Sequence, residues 1–155
     1  MELYRIAHEH YATDLSGTGA RLYGGRWNSE GTAALYTAST RALALLETLV
    51  HTPLLVLKQK KFLLVTLQLP DETTVEKIDL RKLPSGWDVW DLKQHTQQLG
   101  DRFLQHNKKL LLQVPSVLVP EEFNYVLNPS HPHMSRLKVL QQRPLLWNER
   151  VFRAV

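Results

Sequence analysis

Arg26, Glu47 and Ser116 are the side chains whose settings could support chemistry. Arg26 follows the pair Gly24-Gly25. Backbone amides exposed by a glycine turn, beside a guanidinium, suit a phosphate. The alternative is a loop arginine paired with a surface carboxylate. No Gly-Lys-Ser/Thr follows, so this is not a P-loop. No long apolar strand precedes the glycines, so it is not a Rossmann fingerprint either. Glu47 lies in an Ala- and Leu-rich segment, with Leu43 at i−4 and Val50 at i+3. On a helix these residues share a face. A carboxylate there carries a large desolvation cost unless it is paired with a cation or used in chemistry. His51, one turn later, either orients Glu47 or caps the helix end. Ser116 follows Pro115 between two apolar runs, as a turn residue or as a hydroxyl donated into a cleft. With no Gly-x-Ser-x-Gly elbow, a hydrolase nucleophile has little support. Tyr36 either stacks on an aromatic ligand or fills the core.

Other chemistries are weaker or excluded. There is no cysteine, which removes thiol nucleophiles, Cys-based zinc sites and disulfides. His8-Glu9-His10 and His131-Pro132-His133 have a possible ligand spacing, but no His-Glu-x-x-His accompanies them. They read as surface or turn histidines, with no metal expected. Trp27, Trp87, Trp90 and Trp147 read as core or interface residues.

These side chains need elements to hold them. Residues 33–38 form an apolar run suited to a strand. Ser39-Thr40 then offers an N-cap, and a helix is expected over 41–51, stopped by Pro53. Strands are expected over 62–69, 75–80, 110–114, 117–119 and 123–127. A helix is expected over much of 91–107, with Gly100 as its weak point. Residues 134–140 read as a helical turn or two, and 144–152 as a final strand. Strands and helices without regular βαβ alternation favour an α+β fold. Five glycines, 17, 19, 24, 25 and 31, crowd into one stretch and signal tight turns or close backbone approach.

The chain has 155 residues, and no boundary divides it, so residues 1–155 are expected to form a single domain. Apolar residues make up 43%, which favours a globular chain. No stretch approaches the length needed to span a bilayer, and the N-terminus lacks the apolar run of a signal peptide. A soluble cytoplasmic protein is expected. The net charge of +4 suits an anionic small molecule, an acidic partner protein or a weak nucleic-acid contact, and dedicated nucleic-acid modules usually carry a stronger basic stripe.

Taken in order, three stretches resemble the RES domain, the toxin component of bacterial toxin–antitoxin pairs. They run from Gly17 through Tyr23-Gly24-Gly25-Arg26-Trp27-Asn28 to Gly31, from Leu35-Tyr36-Thr37-Ala38-Ser39 through Glu47 to His51, and from Val114-Pro115-Ser116-Val117 through Asn124-Tyr125 to Leu127-Asn128-Pro129. The opening Tyr4-Arg5 also fits. The tail departs from the pattern, with Asn148 where the family carries an Asp.

The resemblance implies an ADP-ribosyltransferase-like mixed sheet with flanking helices. It implies NAD+ as substrate rather than as a bound cofactor, and cleavage of its nicotinamide–ribose bond by a glycohydrolase or phosphorylase reaction. The alternatives are mono-ADP-ribosylation of a protein, or a non-catalytic module binding an antitoxin or nucleic acid. A helix-turn-helix antitoxin of the Xre type is the implied partner, with no direct nucleic-acid contact of the toxin's own. Carried over by position, Arg26, Tyr36, Glu47 and Ser116 would be the catalytic set. Arg5, Gly24, Gly25, Arg26, Tyr36 and Ser116 would bind the dinucleotide. In this scheme Glu47 stabilises the positive ribose, Arg26 and the glycine amides hold the diphosphate, Tyr36 lines the nicotinamide pocket and Ser116 hydrogen-bonds the nucleotide.

Overall fold

The structure, a computed structural model, describes residues 1–154. The strands are β1 (Glu2–His8), β2 (Leu35–Ala38), β3 (Phe62–Gln68), β4 (Val75–Lys77), β5 (Leu111–Pro115), β6 (Phe123–Leu127) and β7 (Lys138–Pro144). The helices are α1 (Thr18–Tyr23), α2 (Arg41–His51), α3 (Leu54–Gln59), α4 (Gln94–His106) and α5 (Glu149–Ala154). All seven strands join one sheet in the order β4-β5-β6-β2-β1-β3-β7. Only β4 and β5 pair in parallel, so the sheet is mixed and the fold is α+β, as expected.

Strand alternation divides the apolar residues between two faces. Leu3 and Ala7 of β1 pack with Leu35, Val65, Leu67, Leu111 and Leu127 on one face. Tyr4, Ala38 and Leu64 point the other way and meet Leu43 and Ala44 of α2. On that second face Leu112, Val114 and Val126 meet Phe103 and Leu104 of α4, together with Trp27. Helices α2 and α4 thus cover the same face of the sheet.

Thr40 caps α2 as expected, its hydroxyl accepting from the Leu43 amide at 3.0 Å. Pro53 both ends that segment and opens α3, a helix the sequence reading did not anticipate. β1 and α1 were also not anticipated. Several expectations are corrected. Residues 117–119 form a turn, because Ser116 Oγ accepts the Leu118 and Val119 amides that a strand ladder would need. The segment 75–80 is a strand only to Lys77, after which Asp79 caps a short 3-10 helix over Leu80–Lys82. Another 3-10 helix covers Pro132–Arg136, but from Lys138 the chain is strand β7 rather than helix. The final strand expected over 144–152 is absent. β7 ends at Pro144, and Asn148 Oδ1 accepts the Arg150 amide as α5 begins.

Gly100 is not a weak point in α4 but a contact. A Cβ there would sit 1.8 Å from the Trp27 carbonyl oxygen, so only glycine lets the helix approach this backbone.

Candidate active site

Glu47 projects from α2 toward the ends of β5 and β6. Its Oε1 accepts from Ser116 Oγ at 2.9 Å and from Asn124 Nδ2 at 2.5 Å. Its Oε2 lies 3.3 Å from Nε2 of His51. The side chain is 20% exposed. Burial raises its pKa, but hydrogen bonds from His51, Asn124 and Ser116 outweigh that and hold the carboxyl below the ordinary glutamate value. Glu47 is therefore paired, and ionised at neutral pH. Leu43 beside it is buried while Val50 is 54% exposed, so Glu47 sits at the edge of the apolar face rather than in its middle.

Ser116 is fully buried. Its oxygen accepts two backbone amides at 3.1 and 3.2 Å. Its one proton goes to Glu47. This hydroxyl is committed to the carboxylate, unlike the nucleotide contact expected of it.

Tyr36 extends from β2 on the α2/α4 face. Its hydroxyl donates to Asn28 Oδ1 at 2.7 Å and accepts from the Trp27 amide at 3.0 Å. Burial pushes the phenol far above its ordinary value, so it stays protonated. Asn28, fully buried, also donates to the carbonyls of Ala20, Ser29 and Thr32. The loop that carries Arg26 is folded around this pair. Helix α4 holds it from outside. Gln97 Nε2 donates to the Gly25 and Asn28 carbonyls, and Asp101 accepts the Ser29 amide.

Arg26 reaches the turn before α4. Nη1 donates to the Trp87 carbonyl at 2.6 Å and to the Val89 carbonyl at 3.4 Å, and Nη2 to the Asp88 carbonyl at 2.9 Å. Its guanidinium lies 5.6 Å from the Trp90 ring centroid. Burial lowers its pKa, while Asp88, Glu47 and Tyr36 raise it. Its hydrogen bonds go to the carbonyls of Trp87, Asp88 and Val89, whereas Glu47 is held by Ser116, Asn124 and His51. The glycine amides do not form the expected phosphate cradle. Gly24 N donates to the Ala20 carbonyl and Gly25 N to the Asn28 carbonyl. Gly25 instead allows close approach, since a Cβ there would lie 2.6 Å from the Tyr36 hydroxyl.

Arg5 is placed apart from this group. It alternates with Tyr4 and Ile6, which face α2, and so projects with Leu3 and Ala7 on the opposite face. Its Nη1 donates to the Asp14 carbonyl at 2.6 Å. An open cavity of about 370 Å³, lined in part by Lys77, Gln113, Pro115 and Phe123, also lies on that opposite face and includes none of the candidate residues. His8 and His131 accept the amides of His10 and His133, as turn histidines do. No cluster of three or more metal-ligating side chains occurs among the described residues. No helix among them is long and apolar enough to cross a membrane.

The sequence reading missed Asn124 and Asn28. Both stood in stretches already singled out. A buried, many-partnered asparagine leaves no local trace, because its partners lie in other elements.

The sequence pattern of the RES domain matches residues 2–148. The chain belongs to the RES domain family. The chain is similar to "Prs ADP-ribosylating toxin" of Sphingobium sp., 41% identical over 149 residues, or 95% of this chain and 92% of the relative. "Toxin Res" of Photorhabdus laumondii is 36% identical over 148 residues, or 90% of this chain and 92% of the relative. Among solved structures, a chain of the M. tuberculosis MbcT-MbcA toxin-antitoxin complex superposes with a TM-score of 0.73 at 22% identity. The match covers 93% of this chain and 83% of that one, and it shows that the two share a fold.

Proposed function

We propose that this RES domain chain is the toxin of a toxin–antitoxin pair. It cleaves the nicotinamide–ribose bond of NAD+ in the cytoplasm, depletes NAD+ and arrests growth. The observation that carries the reading is Glu47, a largely buried carboxylate kept ionised by Ser116, Asn124 and His51.

In the reaction the bond between ribose C1′ and the pyridinium nitrogen breaks. Its electron pair leaves with nicotinamide, which departs neutral and needs no general acid. Positive charge develops on the ribose. A preorganised anion is stabilising where that charge appears, and Glu47 supplies it. Water then bonds to C1′ and releases a proton, giving ADP-ribose. Inorganic phosphate as the nucleophile gives ADP-ribose 1″-phosphate instead.

The proposed roles of the remaining residues take account of the partners each already has. Part of the Arg26 donor fork already holds the Trp87–Val89 turn, and the rest faces the diphosphate. The Tyr36 hydroxyl is committed to the loop, so its ring lines the nicotinamide site. Gly24 and Gly25 shape the loop that presents Arg26. Ser116 orients Glu47. Arg5 tethers the Asp14 segment on the other face.

A second reading, transfer of ADP-ribose to a protein, is favoured by the Sphingobium relative whose name says that it ADP-ribosylates Prs. It shares the bond cleavage and differs only in the nucleophile. An antitoxin with a helix-turn-helix DNA-binding part of the Xre type is the proposed partner. The toxin–antitoxin origin of the structural neighbour supports it.

The test is nicotinamide release from NAD+ by purified protein, with and without phosphate and with Prs as acceptor. Release should fall at least about 10²-fold in Glu47→Gln. Phosphate dependence, or label on Prs, identifies the nucleophile. Release at the parent rate by Glu47→Gln would sink the mechanism. Binding of an antitoxin or nucleic acid with no release under any condition would leave a binding module.

A further inference from the structure

The two oxygens of Glu47 are not equivalent. Oε1 receives hydrogen bonds from both Ser116 and Asn124. Two donors occupy its acceptor sites. Ser116 has one proton to give, and two backbone amides on its oxygen aim that proton at Glu47. Oε2 meets only His51, whose side chain is 58% exposed. Asn124 is anchored in the sheet, on β6 opposite Ala38 of β2 and Val114 of β5. Its contact therefore ties the carboxylate of a covering helix to the rigid sheet beneath.

We infer that Asn124 is a positioning residue which, together with Ser116, pins Oε1 of Glu47 and so leaves Oε2 as the oxygen that meets the reacting ribose. This rests on the reading of Glu47 as the anion beside ribose C1′. A carboxylate held in one rotamer meets developing charge without reorganising. Misplacement by about 1 Å can cost about 10²-fold in rate. The ionisable group that meets Glu47 is His51 on its own helix, and the charge of Glu47 also acts on Arg26 in the loop after α1. From the β5–β6 side its hydrogen-bond partners are the uncharged Ser116 and Asn124, and the ionisable Glu122 of that connection lines a cavity with Leu43 and Leu46 of α2.

Position 124 can therefore be made titratable with little change of shape. In Asn124→Asp a second carboxyl replaces the amide donor. Two carboxyls this close share one proton over a wide pH range. While they share it, the acid hydroxyl stands in for the amide donor and the pair keeps one negative charge. When the proton is lost, the two anions repel and Glu47 turns away.

The experiment compares the parent with Asn124→Asp and Asn124→Ala, after thermal melts confirm folding. Should the alanine variant not fold, the isosteric aspartate variant carries the test. The first readout needs no substrate. The Glu47 carboxyl is followed by carbon NMR through a pH titration, and its signal is assigned by its loss in Glu47→Gln. Both variants should titrate at higher pH than the parent. The second readout is NAD+ turnover. Asn124→Ala should lower kcat about 10²-fold with KM little changed. Asn124→Asp should add an ionisation to the kcat profile, with activity falling as pH rises through it. An unmoved Glu47 titration in a folded variant overturns the inference, as does a moved titration with parent kcat and an unchanged pH profile. A moved titration in the variants of a parent that does not consume NAD+ would uphold the clamp and overturn the NAD+ reading alone.

Discussion

At the scale of the residue, Glu47 shows how burial and hydrogen bonding oppose each other. Burial favours the neutral acid, and three donors favour the anion. The donors win, so the folded-state pKa lies below the unfolded value of about 4.3. The sign of the linkage follows. Ionised Glu47 contributes stability above the unfolded value, and that contribution is lost as pH falls through the folded one. Glu47→Gln removes a titrating group from this position. The stability difference between parent and Glu47→Gln, measured by urea unfolding at several pH values, should therefore be flat near neutrality. It should shift against the parent below the ordinary glutamate range. A difference that stays flat through acid would mean that Glu47 is not held ionised by the fold. Glu47 was legible in the sequence as an out-of-place carboxylate, and His51 as its neighbour one turn later. Asn124 was not, because its partner lies 77 residues away. Arg26 was legible beside its glycine pair, but its carbonyl partners at 87–89 were not, because they lie 61–63 residues away in the chain.

At the scale of the element, helix α4 sets the shape of the Arg26 loop. Gln97, Gly100 and Asp101 fall at helical spacing and face residues 25–29 together. Gly100→Ala would drive a methyl group into the Trp27 carbonyl, which is backbone and cannot rotate away. Destabilisation should be at least about 3 kcal/mol. The Tm should drop by roughly 6 °C or more. Calorimetry on this variant checks the expectation, and a parent-like Tm would mean that α4 does not pack against Trp27 this closely. The sequence reading treated this glycine as a flaw in the helix, since propensity cannot see what a helix touches. Elements with strong local patterns were legible. Helix α2 had its cap, its Ala and Leu content and its terminal proline, and β3, β5 and β6 were apolar runs bounded by turns. Strand β7 was not legible, because every residue in it is exposed and it shows no apolar alternation. It is a strand because β3 offers it a ladder. The stretch 117–119 is apolar enough for a strand, but Ser116 takes the amides first.

At the scale of the whole molecule, the candidate site has no part that a short segment could build. Arg26 comes from a loop clamped by α4, Tyr36 from β2, Glu47 from α2, and Ser116 and Asn124 from the ends of β5 and β6. These pieces meet only because β2, β5 and β6 are neighbours in one sheet, with both helices on the same face. Of the strands that bear site residues, β2 and β6 pair across the middle of the sheet and β5 pairs with β6, one strand in from the β4 edge. Local opening at the termini or at the exposed β7 edge therefore leaves the site intact, whereas separating β2 from β6 destroys it. A chain of this size that unfolds in one cooperative step loses all these contacts together. NAD+ turnover and tryptophan fluorescence, followed through the same urea titration, should give one midpoint. The common slope should be about 1–3 kcal/mol per molar urea. Loss of turnover at clearly lower urea than the fluorescence change would show that the loop, the helix and the sheet hold the site less tightly than they hold the fold. In that case Glu47 would depend on a local closure rather than on the global one argued here.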